Sequence, residues 1–278
     1  MTAREALDHG RAALEARYPE EARLEAEVLL RHVLGLSRSG LYSDFYRTVS
    51  EGQFADFWQL VKRRLAGEPV AYITGHREFY GLDFTVTPDV LIPRPETEVL
   101  VEEAIRLADG RALVIADTGT GCGNIAVCLA RHLPAARVLA SDISSAAIEV
   151  ARQNCERHRV ANRVTLLVGD LLEPLPGPVD MIVTNLPYVR TADLPQVNTS
   201  GFEPRLALDG GADGLDQFRR LCAAAPKHLN PGGALLLEIG QGQREAVAAL
   251  LVRHLPDADI SFVADLAGID RVAIATLA

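Results

Sequence analysis

Apolar and polar positions repeat along this chain with two different periods, and the change of period falls near Gly67. Before it, apolar residues recur at helical spacing. Leu7 and Leu14 share one face of a first helix, opened by Thr2-Ala-Arg-Glu5, which has the form of a capping box. A second helix over 20–34 places Leu24, Val28, Leu29 and Val33 on one stripe and stops at Gly35. Ser50-Glu-Gly-Gln53 is another capping box, opening a helix that buries Phe54, Phe57, Trp58 and Val61. This part of the chain shows no strand pattern, so a small all-α domain over 1–75 is expected.

Between 67 and 97, glycine and proline punctuate two β-like runs, 79–82 and 84–86, which read as a β-hairpin linker over 76–95. Pro93 and Pro95 hold Arg94 extended, because the residue before a proline is biased away from helix. Helix resumes at Glu96, with Val99, Leu100, Ile105 and Leu107 apolar. From there strands and helices alternate. Strands are expected at 112–117, 137–142, 164–169, 179–185 and 234–239, with helices at 123–132, 144–158, 213–229 and 243–254. Alternation of this kind builds a parallel sheet. Two closing apolar runs, 260–264 and 271–277, flank a tight reversal at Gly268-Ile-Asp270 and form an antiparallel hairpin at one edge. The expected fold over 96–278 is therefore α/β, a Rossmann-like, mostly parallel sheet.

Composition narrows the function. Hydrophobic residues make up 48% of the 278, enough for a sizeable core, while no apolar run approaches the ~20 residues that span a bilayer. The charged, helical N-terminus is no signal peptide, so a soluble cytoplasmic protein without membrane contact is expected. Residues 1–75 carry 10 basic and 11 acidic side chains, against 18 and 26 in 76–278. That acidic body argues against direct nucleic-acid binding, which needs clustered Lys and Arg. Four cysteines without a C-x-x-C pair and seven scattered histidines give no metal-ligand spacing, and no metal is expected.

The chemistry collects at strand ends. Gly119-Thr120-Gly121-Cys122-Gly123 follows the first parallel strand, and such glycines let backbone approach a ligand closely. Their spacing also fits a loose dinucleotide pattern, so the glycines alone leave NAD open. Asp142 ends the next strand at a distance suited to accepting ribose hydroxyls, and Asp170 ends the third, where it can accept from an adenine amino group. The fourth strand runs apolar up to Asn185 and then breaks into Leu186-Pro187-Tyr188. Each acid alone reads as a helix cap and Asn185 alone as a turn cap. Four such groups at the carboxyl ends of four successive strands converge on a ligand site instead. No G-x-S-x-G, P-loop or H-E-x-x-H motif occurs, and Glu203 and Asp209 read as loop charges.

The segments RLEAEVLL, PVAYITGHREFYGLDF, LIPRPETE, DTGTGCGNIAV, SDIS, GDLL, VTNLPY, FEPRLALDGGADGLD, PGGALLLEIG and GIDRVAI span essentially the whole chain. Through them the chain resembles the HemK/PrmC family of class I S-adenosylmethionine-dependent methyltransferases. Those enzymes methylate the side-chain amide of the glutamine in the GGQ loop of peptide chain release factors. The resemblance implies that S-adenosyl-L-methionine, leaving as S-adenosyl-L-homocysteine, is held by Gly119, Thr120, Gly121, Cys122, Gly123, Asp142, Ile143, Asp170, Leu171 and Asn185. It implies a substrate platform of Asn185, Leu186, Pro187 and Tyr188, with Arg94 and Glu96 nearby, and catalytic roles for Asn185, Pro187 and Tyr188. It also implies that residues 1–75 help recognise the release factor. The family's Asn-Pro-Pro-Tyr motif departs here at Leu186, which keeps the backbone carbonyl but loses proline's fixed φ. Other substrates for such a site are a ribosomal-protein glutamine or the amino group of adenine. A binding module without catalysis is the reading from another class, and it rests on Leu186.

Overall fold

The computed structural model describes residues 1–198 and 201–278. Two compact units divide the chain, Met1–His76 and Arg77–Ala278.

The first unit is helical: α1 (Ala3–Glu15), α2 (Ala22–Leu34), α3 (Arg38–Ser43), α4 (Glu51–Leu65) and α5 (Val70–Thr74). Both capping boxes form. Thr2 Oγ1 accepts from Glu5 N at 3.3 Å while Thr2 N donates to Glu5 Oε2 at 2.8 Å, and Ser50 and Gln53 repeat the exchange. The stripe on α2 differs from the expected one. Ala22, Ala26, Leu29 and Leu30 are buried, whereas Leu24 is 54% exposed. Small alanines carry the face that allows α1 and α4 to approach, and a stripe drawn through the large residues alone turns it the wrong way. Phe57 and Val61 are fully buried on α4, and Phe54 and Trp58 pack at the margin of the same core.

The strands β1 (His76–Phe79) and β2 (Leu82–Thr85) pair as a small sheet, and Phe79 and Phe84 enter the core of the second unit. That unit continues through α6 (Thr97–Ala108), β3 (Val114–Thr118), α7 (Asn124–His132), β4 (Arg137–Asp142), α8 (Ser145–Arg157), β5 (Val164–Val168) and β6 (Val179–Thr184). After the one-turn α9 (Leu194–Val197) come α10 (Asp216–His228), β7 (Leu229–Glu238), α11 (Arg244–His254), β8 (Asp259–Ala264) and β9 (Asp270–Thr276). The seven-stranded sheet has the order β5-β4-β3-β6-β7-β9-β8, parallel except for β9, which runs antiparallel to both neighbours. The expected mixed sheet is borne out. Strand β7 starts at Leu229, well before the expected 234, because Val179 pairs with Leu229 before a register shift carries Met181 to Ala234. Asn230-Pro-Gly-Gly233 lacks the apolar texture of a strand and hides that pairing.

Alternate side chains along β3 and β6 feed two cores. Ile115, Met181 and Val183 pack with residues of α6, α7 and α8, while Ala116 and Ile182 pack with residues of α10 and α11. The chain winds outward from β3 through β4 to β5, then returns to lay β6 on the other side of β3. Strand order therefore reverses between β3 and β6. Open α/β sheets bind ligands outside the carboxyl ends of the strands at such a switch point. Thr184 Oγ1 donates to Thr118 O at 2.5 Å, tying the two strand ends together there. Among the described residues, no helix is long and apolar enough to cross a membrane.

Candidate active site

The loop after β3 is built on backbone hydrogen bonds. Gly119 N and Thr120 N both donate to Ser141 O, at 2.8 and 2.9 Å, so the loop hangs from the end of β4. Beneath it lies the fully buried Asp117, whose Oδ2 accepts from Thr120 Oγ1 at 2.6 Å and Ala126 N at 3.0 Å. Its Oδ1 has no partner, and burial pushes its carboxyl up to about 7 despite the two donors. Asp142 is held from both sides: Gly121 N donates to Oδ2 and Ser144 N to Oδ1, each at 2.9 Å. Burial raises this carboxyl too, with the backbone donors opposing the shift. Each Asp142 oxygen keeps acceptor capacity for a further donor.

A cavity of about 310 Å³ opens over these residues. Its wall includes Gly119 to Cys122, Asp142 and Ile143, Asp170 and Leu171, and Asn185 to Pro187, together with Arg94 and Thr97. Most of the site residues expected from sequence thus come together. Three do not reach the wall. Gly123 caps α7, where an added Cβ would stand 3.1 Å from the Ala151 methyl, so it serves helix packing. Glu96 stands at the start of α6 with its side chain off the wall. Tyr188 lies behind the wall, with its hydroxyl donating to Glu238 Oε1 at 3.2 Å. Burial and that carboxyl raise the tyrosine's pKa and keep it protonated.

The residues after β6 are tightly fixed. Asn185 Nδ2 donates to Thr97 Oγ1 at 3.0 Å. Leu186 is only 3% exposed and packs into the core shared with α10 and α11. A Cβ on Gly119, whose φ is +71°, would stand 3.2 Å from Leu186 Cδ2. The side chain that replaces the second residue of the family motif is thus wedged against the glycine loop. Beyond Tyr188, Val189 bridges to Asp209 and exchanges backbone hydrogen bonds with Leu208 and Gly210. Backbone comes so close here that a Cβ on Gly214 would fall 2.3 Å from Tyr188 O, which also accepts from Gln243 Nε2 at 3.1 Å.

Glu203 and Asp209 are more than loop charges. Glu203 accepts from Ile92 N at 3.2 Å and pairs with Arg94, pinning the stretch that carries Pro204, Leu206 and Ala207 onto the cavity rim. Asp209 accepts from Thr191, Arg205 and Gly211 N and organises its own loop. Asp170 pairs with Arg220 of α10 through Oδ2, which leaves Oδ1 to accept from a ligand. Sequence reasoning missed Thr97, Arg220 and Glu238. Of these only Glu238 carried a signal, as an acid at the end of an otherwise apolar strand. Among the described residues, no group of three or more His, Cys, Asp or Glu is placed to hold a metal ion.

Comparison with known proteins then decides the family. A family profile described as the PrmC N-terminal domain matches residues 5–75, and one described as the methyltransferase small domain matches 95–199. A protein of Geobacter sulfurreducens named release factor glutamine methyltransferase is 49% identical over 98% of this chain and 95% of its own length. One of the same name from Moorella thermoacetica is 48% identical over 99% of this chain and 98% of its own. The chain belongs to the release factor glutamine methyltransferase family. The solved structure of a methyltransferase from Pyrococcus furiosus shares the fold, with a TM-score of 0.52 at 18% identity, over 71% of this chain and 89% of that one. In a methyltransferase family the site fits S-adenosylmethionine: the loop is open at Gly121, where an added Cβ would meet nothing within 4 Å, and the acceptors Asp142 and Asp170 line the cavity beside it.

Proposed function

We propose that this protein transfers a methyl group from S-adenosyl-L-methionine to the side-chain amide nitrogen of the glutamine in the GGQ loop of a peptide chain release factor, in the cytoplasm. The observation that carries this reading is Asn185, at the end of β6, sharing one cavity wall with the Gly119–Cys122 loop across the switch point.

When bound, the cofactor supplies an electrophilic methyl on a sulfonium. Gly119 to Cys122 would hold it along their backbone, Asp142 would accept from its ribose hydroxyls, and Asp170, through the oxygen not paired with Arg220, would accept from its adenine amino group. An amide nitrogen is a weak nucleophile because its lone pair is delocalised into the carbonyl, so the protein's main task is aiming it. Asn185 Oδ1 and the Leu186 carbonyl accept the two amide hydrogens, which fixes the nitrogen and favours loss of planarity as positive charge develops. Pro187 holds the turn that aims both acceptors, and Tyr188 anchors it from behind. Arg94, paired with Glu203, shapes the rim where the glutamine loop enters. No dedicated base is needed, since the methylated nitrogen sheds its proton readily. Residues 1–75 hold the body of the release factor, so removing them should leave cofactor binding intact and lower methylation steeply.

Incubation with a bacterial release factor and methyl-labelled cofactor, followed by peptide mapping, tests the reading. Label is expected on the GGQ glutamine. Intact cofactor binding with no label on that residue, or label on a ribosomal protein or on adenine instead, overturns it.

A further inference from the structure

Gln243 occupies the N-cap of α11, the position where a short polar side chain usually bonds the first free amides of its own helix. Its side chain makes no such bond. It turns back instead, toward the end of β7 and the chain that follows β6. Oε1 accepts from Gly240 N at 2.8 Å, while Nε2 donates to Tyr188 O at 3.1 Å and to Gly214 O at 3.2 Å. Both amide hydrogens are thus spent on carbonyls, and the Gly240 donor on the other side allows only that orientation. The surroundings are packed to match. A Cβ on Gly214 would stand 2.9 Å from Gln243 Nε2, and one on Gly240 would meet Gln243 Oε1 and Tyr188 Cδ2, each at 3.0 Å. Gly210 presses as closely on the same turn, where a Cβ would fall 2.7 Å from Pro187 O.

We propose that Gln243 is a positioning residue for methyl transfer, holding the Tyr188 carbonyl so that the Asn185–Tyr188 turn keeps its two acceptors aimed at the substrate amide. The peptide unit that carries the Leu186 carbonyl ends on the nitrogen of Pro187 and has no hydrogen to donate. Its orientation must therefore be set from either side. Upstream, the Leu186 side chain is buried in the core shared with α10 and α11. Downstream, the peptide unit after Tyr188 is held at both ends. Gln243 holds its carbonyl, and its Val189 N donates to Leu208 O at 3.0 Å. Proline's φ is fixed at about −65°, so few free dihedrals separate that held unit from the Leu186 carbonyl. The bond from the Tyr188 hydroxyl to Glu238 fixes the ring and leaves this backbone to Gln243. The tie also reaches Gly214 ahead of α10, but Phe218, Leu221 and Cys222 anchor that helix in the core, each 0% exposed. Loss of the tie thus loosens the turn and leaves α10 and its Arg220 in place. The inference rests on the methyl-transfer reading for its consequence and on the hydrogen bonds alone for its geometry.

The test compares wild type with Q243E and Q243M as full-length proteins. Glutamate keeps an acceptor for Gly240 N but sets an oxygen against the two carbonyls. Methionine keeps the length of the side chain without the amide. With a release factor as substrate, both variants should lower kcat about 100-fold, the scale of a misplaced reacting group. Affinity for S-adenosylmethionine by calorimetry should match wild type, and kcat is counted per cofactor-binding site, so that a loss of folded protein does not register. Protonating the glutamate gives back one hydrogen. The Q243E rate relative to wild type should therefore climb as pH falls toward about 5, and that of Q243M should not. A purely structural role would reduce the number of binding sites, leave the rate per site alone and show no such recovery. The second readout needs no activity. The Val189 amide shares a peptide unit with the Tyr188 carbonyl, and its hydrogen should exchange with solvent about tenfold faster in both variants, the scale of one hydrogen bond. Wild type that leaves the release factor unlabelled sinks the methyl-transfer reading, and the exchange rates still judge this one. Full kcat per site in both variants, or equal Val189 exchange in all three proteins, overturns it.

Discussion

Replacing Gly119 with alanine tests whether the cofactor loop and the substrate motif are one packed unit. Two costs follow from the geometry. The residue sits at φ +71°, where an L side chain is disfavoured by about 1–2 kcal/mol. The new methyl would also meet Leu186 Cδ2 at 3.2 Å, and because Leu186 is 3% exposed it has little room to retreat. Overpacking of this mild kind adds about 1 kcal/mol, for a total near 2–3 kcal/mol. The two parts separate in a double-mutant cycle. L186A by itself should cost about 2–5 kcal/mol, as buried leucine truncations do. In its background G119A should lose the crowding part but keep the backbone part, leaving a coupling of about 1 kcal/mol. Urea unfolding of the four proteins measures the cycle, and calorimetry with S-adenosylmethionine shows whether binding weakens in step. Strict additivity, or a G119A protein as stable as wild type, would refute the claim that Leu186 wedges the motif against the loop.

Asp117 and Glu238 both have carboxyls raised to about 7 by burial, from ordinary values of 3.8 and 4.5. Between those limits the folded protein keeps protons that the unfolded chain has released, so stability should fall as pH rises, by up to ~1.4 kcal/mol per pH unit for each group, and level off above about 7. Urea midpoints across that window should show the slope, D117N and E238Q should each flatten it, and an unchanged slope in both variants would count against the assignment. Glu203→Ala removes the acceptor for Ile92 N and the partner of Arg94. It should cost about 1–3 kcal/mol and weaken cofactor binding through a loosened rim; calorimetry showing wild-type affinity would mean that the pin does not shape the cavity. Arg220→Gln should weaken binding of S-adenosylmethionine by removing the charge that holds Asp170 in place, an effect absent for a cofactor analogue with inosine in place of adenine.

Much of this protein could be read from the order of its residues, because the signals are local. Thr2 with Glu5 and Ser50 with Gln53 satisfy helix amides within one turn of chain, so their boxes form as the spacing requires. The alternation of strand and helix likewise places Gly119, Asp142, Asp170 and Asn185 at carboxyl ends, and right-handed winding brings those ends to one edge of the sheet. Where sequence reading failed, the deciding partner was distant. Leu24 looked like core until the alanines at 22 and 26 met other helices. Glu203 and Asp209 looked alike as loop acids, yet one pins Ile92 and Arg94 across more than a hundred residues and the other binds its own loop. Tyr188 reads as part of the substrate platform, but nothing along the chain shows that its hydroxyl donates to Glu238, fifty residues on. Local spacing dictates which atoms a residue can offer to its near neighbours along the chain. Which buried donor faces which buried acceptor is settled only when β6, β7 and α6 pack together, because an unpaired polar group costs energy only once water has been excluded.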